Sequence, residues 1–306
     1  MSRNWILGLV FALITALMWG LLPLAMKLIL GRMDAATITW YRFSLSAAIA
    51  LAWYGWHSGA ALRRLLSNRH RGWALLAVFG LIGNYLLYIS GLQFLNPGAA
   101  QIIVQFAPLL LVLASVLILG ERLFRLQWLG LGLFPVGLLL FFHQRLSNQV
   151  ATDSDYLVGL ILMIGAAIVW TAYAIAQKQL LVSHHAKDIL LLICVGGSLL
   201  LLPFASPAQV LALDTRELGM LVFCGLNTIV AYGCFGLAMS YWDASRVSAI
   251  IPLTPLFTLL FTWIGNHWFD AGIAAEPLDW LASAGALLVV VASACVTLAK
   301  APKTAG

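Results

Sequence analysis

The sequence predicts an all-α polytopic membrane protein in which ten transmembrane helices form two inverted five-helix repeats. Three observations lead to this fold class: the composition, the number of long apolar segments, and residues that recur at a constant spacing. Hydrophobic residues make up 62% of the 306 residues and charged residues only 9%, and the mean hydropathy is +0.97. Soluble domains carry about a quarter charged residues, so the composition excludes a soluble protein.

Ten segments are long and apolar enough, or nearly so, to cross a bilayer, which requires about 20 residues. They are residues 5–30, 35–56, 73–95, 99–119, 126–142, 157–181, 187–204, 218–240, 246–264 and 279–299. The first could be mistaken for a signal peptide because Arg3 precedes it. Its apolar run is too long for a signal peptide and no small-residue cleavage site follows, so we expect a retained transmembrane helix.

The charged loops predict the orientation of the chain. Basic residues collect in cytoplasmic loops, and one arrangement places eleven of them on the side of the N-terminus and three on the other side. The eleven are Arg3, Arg63, Arg64, Arg69, Arg71, Arg122, Arg125, Lys187, Arg246, Lys300 and Lys303, and the three are Arg32, Arg145 and Arg216. We therefore expect a multi-pass protein of the plasma (inner) membrane with both termini in the cytoplasm. The net charge of +6 belongs to short loops, so no nucleic-acid partner is expected.

Residues of the first half recur in the second half. Gly8, Ala16, Trp19 and Lys27 return 151 positions later as Gly159, Ala167, Trp170 and Lys178, and Pro108 has Pro255 as its counterpart. Each half contains five spans, an odd number, so the two copies cross the membrane in opposite directions. Inverted repeats are typical of secondary transporters, whose substrate site lies near the midplane between the halves. The predicted units are residues 1–143 and 157–306, joined by a polar linker at 144–156.

Several short motifs carry a family resemblance. They are Trp19 in the first span, Tyr41-Arg42-Phe43 in the second, and the segment from Pro108 to the Leu-Gly-Glu-Arg-Leu run of residues 119–123 in the fourth. In this order, within ten spans, they resemble the drug/metabolite transporter superfamily of the EamA type. The resemblance implies metabolite export through a central cavity lined by the first, third, fourth, sixth, eighth and ninth helices. The second half departs from the pattern, with Gly265-Asn266-His267 where another Gly-Glu is expected.

Polar side chains inside the third and fourth spans are candidates for substrate binding. Asn84 and Tyr88 are four residues apart, as are Gln101 and Gln105, so each pair shares one helical face. Intramembrane polar residues are rare and mark functional sites by default, and amides offer both donors and acceptors. The alternative is interhelical hydrogen bonding that only holds the bundle together, worth about 1 kcal/mol or less per bond. Tyr85, beside Asn84, is expected to pack.

Aromatic residues well inside the spans indicate what the cargo is like. The predicted aromatic lining comprises Trp19, Tyr88, Trp170 and Tyr173, and Asn227 and Tyr232 of the eighth span complete the predicted binding set. Aromatic faces would bind apolar or aromatic cargo by stacking. Core packing is the alternative for these side chains.

Three prolines and four charged residues are predicted to serve the moving scaffold. Proline breaks helical hydrogen bonds, so hinges for alternating access are expected at Pro108, Pro252 and Pro255. Structural or gating roles are expected for Lys27, Arg42, Glu121 and Lys178. For the arginine and the lysines the alternative is anchoring to helix ends or lipid headgroups.

Small residues in the fifth and tenth spans predict close packing of helices. They are Gly130, Gly132, Gly137, Ala282, Gly285 and Ala286. Because they lack large side chains, two helix backbones can approach each other along them. We expect these positions to be scaffold and not binding sites.

Together these features predict a secondary transporter that exports small metabolites by alternating access, such as amino acids, aromatic ones among them, or related organic compounds. The chain lacks a Gly-x-x-x-x-Gly-Lys-Ser/Thr loop, which argues against an ATP-driven pump. No cofactor or metal is expected; the partners are the cargo and the bilayer, and the oligomeric state is left open, with a monomer as one possibility. The alternatives are a membrane-embedded enzyme, which needs clustered acids or histidines, and a non-transporting receptor or scaffold.

Overall fold

The computed structural model describes residues 3–54, 58–66, 69–107, 109–110, 113–114, 123–144, 154–241, 250–275 and 278–298, and in these parts every regular element is a helix. The first half contains α1 (Arg3–Ile29), α2 (Ala35–Tyr54), α3 (Ser58–Leu65), α4 (Arg71–Phe94), α5 (Pro97–Val104) and α6 (Arg125–Phe141). The second half contains α7 (Ser154–Leu181), α8 (Ala186–Leu201), α9 (Thr215–Tyr241), α10 (Thr254–Trp268) and α11 (Trp280–Leu298). Short 3-10 helices cover Leu202–Phe204, Pro207–Ala212 and Ile251–Leu253.

The helices follow the predicted spans. Each predicted span contains one of them, and α3 is an additional short helix in the loop between the second and third spans. Within the described residues, five helices are long and apolar enough to cross a membrane, namely α1, α4, α7, α8 and α9, and α6 and α11 are shorter apolar helices. The apolar composition of these segments therefore produces the helices that the hydropathy predicts.

The packing of the helices repeats between the two halves. The first helix of each half lies along the third span of the other half, α1 against α9 and α7 against α4. Helices in equivalent positions also pair directly, α2 with α8 and α6 with α11. These are the contacts that a two-fold relation between inverted copies requires, and they confirm the predicted fold class. They also interlock the halves, so that neither half has its own complete core.

The pair α6 and α11 shows how closely two of these helices approach. A Cβ atom added to Gly130 would lie 2.6 Å from the Ala292 carbonyl oxygen, and one added to Gly137 would lie 2.9 Å from the Val289 nitrogen. A Cβ atom on Gly285 would meet the Gly137 carbonyl oxygen at 2.7 Å. The predicted close packing is confirmed at these glycines. It is wrong for Gly132, where an added Cβ atom would have no neighbour within 4 Å because the residue lies on a different face of α6.

One carboxylate fastens the two halves together beyond the spans. Asp34 caps α2 by accepting hydrogen bonds from the Thr37 backbone N–H and hydroxyl, both at 2.8 Å. Gln209 of the second half donates from its Nε2 to the same carboxylate at 2.7 Å. Burial acts to raise the pKa of Asp34, but the hydrogen bonds from Thr37, Gln209 and Ala36 outweigh it and hold the pKa below its ordinary value of 3.8. The loop after α1 is thereby tied to the 3-10 helix Pro207–Ala212.

Candidate functional site

A cavity of about 160 Å³ lies between the two halves. Its lining comes from α1, α2, α4 and α5 with the residues just after α5, and from α7, α9 and the start of α10. The lining residues are Trp19, Leu22, Arg42, Asn84, Tyr85, Tyr88, Gln101, Val104, Gln105, Ala107, Trp170, Tyr232, Ile251 and Thr254. The six helices that the family resemblance implies all contribute, and α2 is added to them through Arg42.

Most of the predicted binding residues meet in this cavity. Seven of the nine line it: Trp19, Asn84, Tyr88, Gln101, Gln105, Trp170 and Tyr232. Their role in binding stays a prediction, because a shared cavity is a matter of position and not of function. Tyr85, Ile251 and Thr254 also line the cavity, and none of them was predicted for the site.

The two other predicted binding residues lie outside the cavity. Tyr173 is 2% exposed and packs between α7 and α4, where the absence of a side chain at Gly80 leaves it room. Asn227 is 0% exposed, and its Nδ2 donates to the Met18 carbonyl oxygen of α1 at 2.6 Å. The position of Tyr173 agrees with the alternative of core packing, and the position of Asn227 agrees with the alternative of a hydrogen bond between helices.

A proline inside α1, which the sequence analysis passed over, explains the position of Gln101. Pro23 lies in the interior of α1 and has no N–H, so the carbonyl of Trp19, four residues earlier, loses its partner within the helix. The Gln101 Nε2 donates to that carbonyl oxygen at 3.1 Å. In a bilayer a backbone group without a partner is costly. Gln101 therefore satisfies a backbone acceptor that the proline exposes.

The carbonyls on either side of Trp19 are also bonded by other helices. Asn227 of α9 donates to the Met18 oxygen, and the Thr258 hydroxyl of α10 donates to the Gly20 oxygen at 2.8 Å. Three consecutive carbonyls of α1 thus accept hydrogen bonds from α9, α5 and α10. This part of α1 is one of the places beside the cavity where polar contacts join the two halves.

The amide side chains around the cavity differ in whether they already form hydrogen bonds within the protein. The Asn84 Nδ2 donates to the Ala166 carbonyl oxygen of α7 at 2.9 Å, and Gln101 is bonded to α1 in the same way. Gln105 is 5% exposed, and its side-chain amide has no hydrogen bond to any residue that the structure describes. The Tyr88 hydroxyl is also buried and, within the described residues, has no partner. Among the described residues, the Gln105 side chain and the Tyr88 hydroxyl are therefore polar groups of the cavity without a partner.

Arg42 brings a positive charge to the cavity. The residue is 2% exposed; its Nε donates to the Cys224 carbonyl oxygen and its Nη2 to the Thr228 hydroxyl, both at 3.3 Å. The Nη1 lies 3.5 Å from the Met26 sulfur, and the guanidinium carbon lies 4.2 Å from the Tyr85 ring centroid. All of these groups are neutral, and no carboxylate of the described residues contacts the guanidinium.

Aromatic rings line the cavity on both sides. The rings of Trp19 and Tyr232 meet edge to face with centroids 5.4 Å apart, and the ring of Phe235, from the same helix as Tyr232, lies 5.8 Å from that of Trp19. Across the cavity, Trp170 is held by Tyr173, 6.4 Å away. The two repeat-related tryptophans are therefore fixed by tyrosines in different ways, one from α9 and one from its own helix.

Of the predicted hinge and gate residues, some lie at the start of helices and others lie outside the described residues. Pro252 lies in the 3-10 helix Ile251–Leu253 and Pro255 in the first turn of α10, where a missing N–H leaves no helical bond unmade. The expected break inside the ninth helix is thus a junction between two helices. Pro108, Glu121 and the side chain of Lys178 lie outside the described residues.

Lys27 has a structural position at the end of α4. Its Nζ donates to three carbonyl oxygens, those of Leu92 at 2.6 Å, Gln93 at 3.0 Å and Leu95 at 2.9 Å. The last carbonyls of a helix have no partners within it and carry partial negative charge, so an ammonium group satisfies them well. Lys27 caps α4 and thereby joins the first and third spans.

Among the described residues, no three His, Cys, Asp or Glu side chains come together as a metal site requires.

Comparison with known proteins places this architecture in a family. The profile of the EamA-like transporter family matches residues 6–143 and 157–298. An "Uncharacterized transporter" of Haemophilus influenzae is 38% identical over 95% of this chain and 94% of its own length. The "Uncharacterized inner membrane transporter YhbE" of Escherichia coli K12 is 41% identical over 93% of this chain and 89% of its own length.

More distant relatives extend the comparison. The "Probable amino-acid metabolite efflux pump" of Salmonella typhimurium is 25% identical over 91% of each chain. A crystal structure with 21% identity superposes with a TM-score of 0.62 over 97% of this chain and 98% of its own, a likeness of fold alone. The family is one of transporters and not of enzymes. The protein is an integral membrane protein that belongs to the EamA-like transporter family.

Proposed function

We propose that this protein exports small organic metabolites, such as amino acids and aromatic ones among them, by alternating access of its two inverted halves. One observation carries the proposal: the cavity lies between the halves and receives side chains from both, including the repeat-related Trp19 and Trp170. In inverted-repeat transporters, rocking of one half against the other exposes such a site to each side of the membrane in turn.

The cargo class is inferred from the lining. Trp19, Trp170 and Tyr232 offer apolar rings on which a flat or bulky side chain can stack, and Gln105 and Tyr88 offer polar groups that no described residue occupies. The printed name of the Salmonella typhimurium relative, an amino-acid metabolite efflux pump, agrees with this class. The name of the Escherichia coli relative supports a location in the inner membrane, and the loop charges support cytoplasmic termini.

The same proposal assigns the scaffold roles. The two five-helix units at residues 1–143 and 157–306 are the moving bodies, and the prolines 108, 252 and 255 are their proposed hinges. Lys27 joins the first and third spans of one unit. The lipid bilayer and the cargo are the only partners the mechanism needs, so a monomer suffices.

Counterflow in proteoliposomes tests the proposal. Vesicles containing the purified full chain are loaded with unlabelled amino acid and exposed to the labelled compound, using phenylalanine, tyrosine, tryptophan, leucine and serine. We expect labelled aromatic amino acids to accumulate above the level in empty vesicles, and serine not to. Trp19→Ala and Trp170→Ala should each lower the exchange at least tenfold, whereas Trp128→Ala, on an exposed surface of α6 (64% exposed), should not. If none of the compounds exchanges, the amino-acid cargo is wrong.

A further inference from the structure

The geometry points to Arg42 as the anchor for a carboxylate of the cargo, so that the cavity takes organic anions and zwitterions with an apolar or aromatic body. This inference rests on the proposed transport function and names the chemical class of its substrate. It assigns a binding role to α2, which the family resemblance does not place around the cavity.

The first step concerns charge. A guanidinium keeps its charge at physiological pH, and a charge inside a membrane protein is normally paired with an opposite charge or with backbone carbonyls. Arg42 is 2% exposed, yet its contacts are a carbonyl, a hydroxyl, a thioether and the face of Tyr85. No carboxylate in the described part of the chain contacts it. A buried cation without a counterion calls for an anion from outside the protein.

The second step concerns donors. A guanidinium has five N–H groups in a fixed fork that matches a carboxylate. The contacts of Arg42 with Cys224 and Thr228 are 3.3 Å long, beyond the usual range for hydrogen bonds to oxygen, and the third contact is with the Met26 sulfur, a weak acceptor. They hold the side chain in place and leave N–H groups for a ligand. The guanidinium is therefore held in place and still has N–H groups available for a carboxylate.

The third step concerns what surrounds the charge. Gln105 and Tyr88 line the same cavity, and neither side chain has a hydrogen-bond partner among the described residues. Together with Arg42 they supply a cationic, an amide and a hydroxyl group. Trp19, Trp170 and Tyr232 line the cavity as well. A chloride or bicarbonate ion would leave these rings without contact, so a carboxylate on an organic body fits better than an inorganic anion.

A series of four compounds that share a phenyl ring tests the inference on the unaltered protein. They are 3-phenylpropionate, an anion; L-phenylalanine, a zwitterion; and L-phenylalaninamide and 2-phenylethylamine, which lack a carboxylate. Each is tested in counterflow and for its effect on the thermal unfolding midpoint of the full chain in nanodiscs. We expect the first two to exchange and to raise the midpoint, and the last two to do neither. Sodium chloride and sodium bicarbonate at the same concentrations serve as inorganic anions and should leave the midpoint unchanged.

Variants then assign the effect to Arg42. R42Q should weaken the effect of 3-phenylpropionate about a hundredfold, the order expected when one partner of a buried charge pair is removed. R42K should keep part of it. R63Q, which removes an exposed arginine of α3, should change nothing. A merely structural Arg42 would instead lower the unfolding midpoint in R42Q and leave the order of preference among the four compounds unchanged.

The outcomes separate this inference from the proposed function. Exchange of phenylalaninamide as readily as phenylalanine overturns the role of Arg42 and leaves the transporter proposal in place. Midpoint shifts by the inorganic anions alone overturn the organic cargo. If no compound exchanges or shifts the midpoint, the aromatic cargo and the carboxylate anchor both fail. Should R42Q not fold, the compound series on the unaltered protein still decides.

Discussion

The first helices of the two halves, α1 and α7, occupy equivalent places but have different backbones. Each lies along the third span of the other half, and Trp19 and Trp170 line the same cavity. In α1, Pro23 exposes a carbonyl, and three consecutive carbonyls accept side-chain donors from other helices. In α7 the position equivalent to Pro23 is Ala174. One proline, without a counterpart, thus leaves a carbonyl of α1, but not the equivalent carbonyl of α7, for a polar side chain to satisfy.

This difference also explains an asymmetry in the amides. Gln101 donates to the carbonyl that Pro23 exposes, and the second half has neither the proline nor an amide at the position equivalent to Gln101. The proline and the glutamine are therefore a matched pair. The repeat sets the paths of the helices, and local departures from it set the chemistry of the cavity.

The largest effect is expected from copying the proline into α7. Ala174→Pro should expose the Trp170 carbonyl with no amide placed to satisfy it, and should destabilise the protein by about 3 kcal/mol or more. Ala174→Gly is the control and should cost about 1 kcal/mol. Reversible unfolding in mixed micelles measures both. Equal losses in the two variants would contradict the comparison of α1 with α7.

The next effect concerns the matched pair. Gln101→Leu leaves the Trp19 oxygen without a donor and should cost about 1–3 kcal/mol. In a Pro23→Ala background the new N–H can bond the same oxygen, so the same substitution should cost much less. A double-mutant cycle measures the coupling, which should exceed about 0.5 kcal/mol. A cost that is the same in both backgrounds would separate Gln101 from Pro23.

A smaller effect separates the two asparagines that bridge the halves. Asn84→Leu should cost about 1 kcal/mol or less. Asn227→Leu should cost even less, because the Asn227 Oδ1 is buried without a partner among the described residues and its removal offsets the lost bond to Met18. Unfolding of the two variants under identical conditions gives the order. The reverse order would show that the unpaired oxygen carries no penalty.

The smallest effect is one of pH and concerns the loops that follow α1 and α7. Burial, and then His70 with its ring centroid 4.8 Å away, lower the pKa of His184 from its ordinary value of 6.5. The folded state then binds fewer protons than the unfolded state, so stability present above about pH 6.5 is lost as the pH falls below it. For Asp34, whose pKa is also lowered, the loss begins only below about pH 4.

Two variants check this order of titration. His184→Gln should remove the loss of stability between about pH 7 and pH 5, whereas Asp34→Asn should leave that window unchanged and alter only the more acidic part of the curve. The unfolding midpoint as a function of pH is the measurement. A flat curve between pH 7 and pH 5 for the unaltered protein would contradict the assignment of His184.

The sequence predicts the fold well because its signals are those of whole segments. Apolar length gives the spans, and the recurrence of Trp19 and Lys27 gives the repeat. The residues of the candidate site are harder to predict. Polar residues inside spans pointed to Gln101, but its partner is a backbone carbonyl, a group that every residue carries and that composition cannot single out. Pro23 is the sequence signal that could have identified the Trp19 carbonyl as an unpaired acceptor.

Other parts of the site depend on how helices face one another. Tyr173 was predicted to line the cavity with Trp170, yet its side chain packs against α4, where Gly80 makes room for it. Tyr85 was expected to pack; it does, against Phe43 with ring centroids 5.0 Å apart, and it also lies beneath the guanidinium of Arg42. Such double contacts arise from helix rotation, which the sequence pattern does not specify.

The interlocking of the halves has a consequence for how the protein is made. Synthesis proceeds from the N-terminus, so α1 and α4 enter the bilayer before α9 and α7, against which they pack, have been translated. Until then Asn84 lacks the Ala166 carbonyl to which it donates. The first five spans remain an incompletely paired set of helices until the ribosome has delivered the second half, and folding is completed late. A chain that stops after α6 is for this reason not half a transporter but an unassembled precursor, a substrate for membrane quality control.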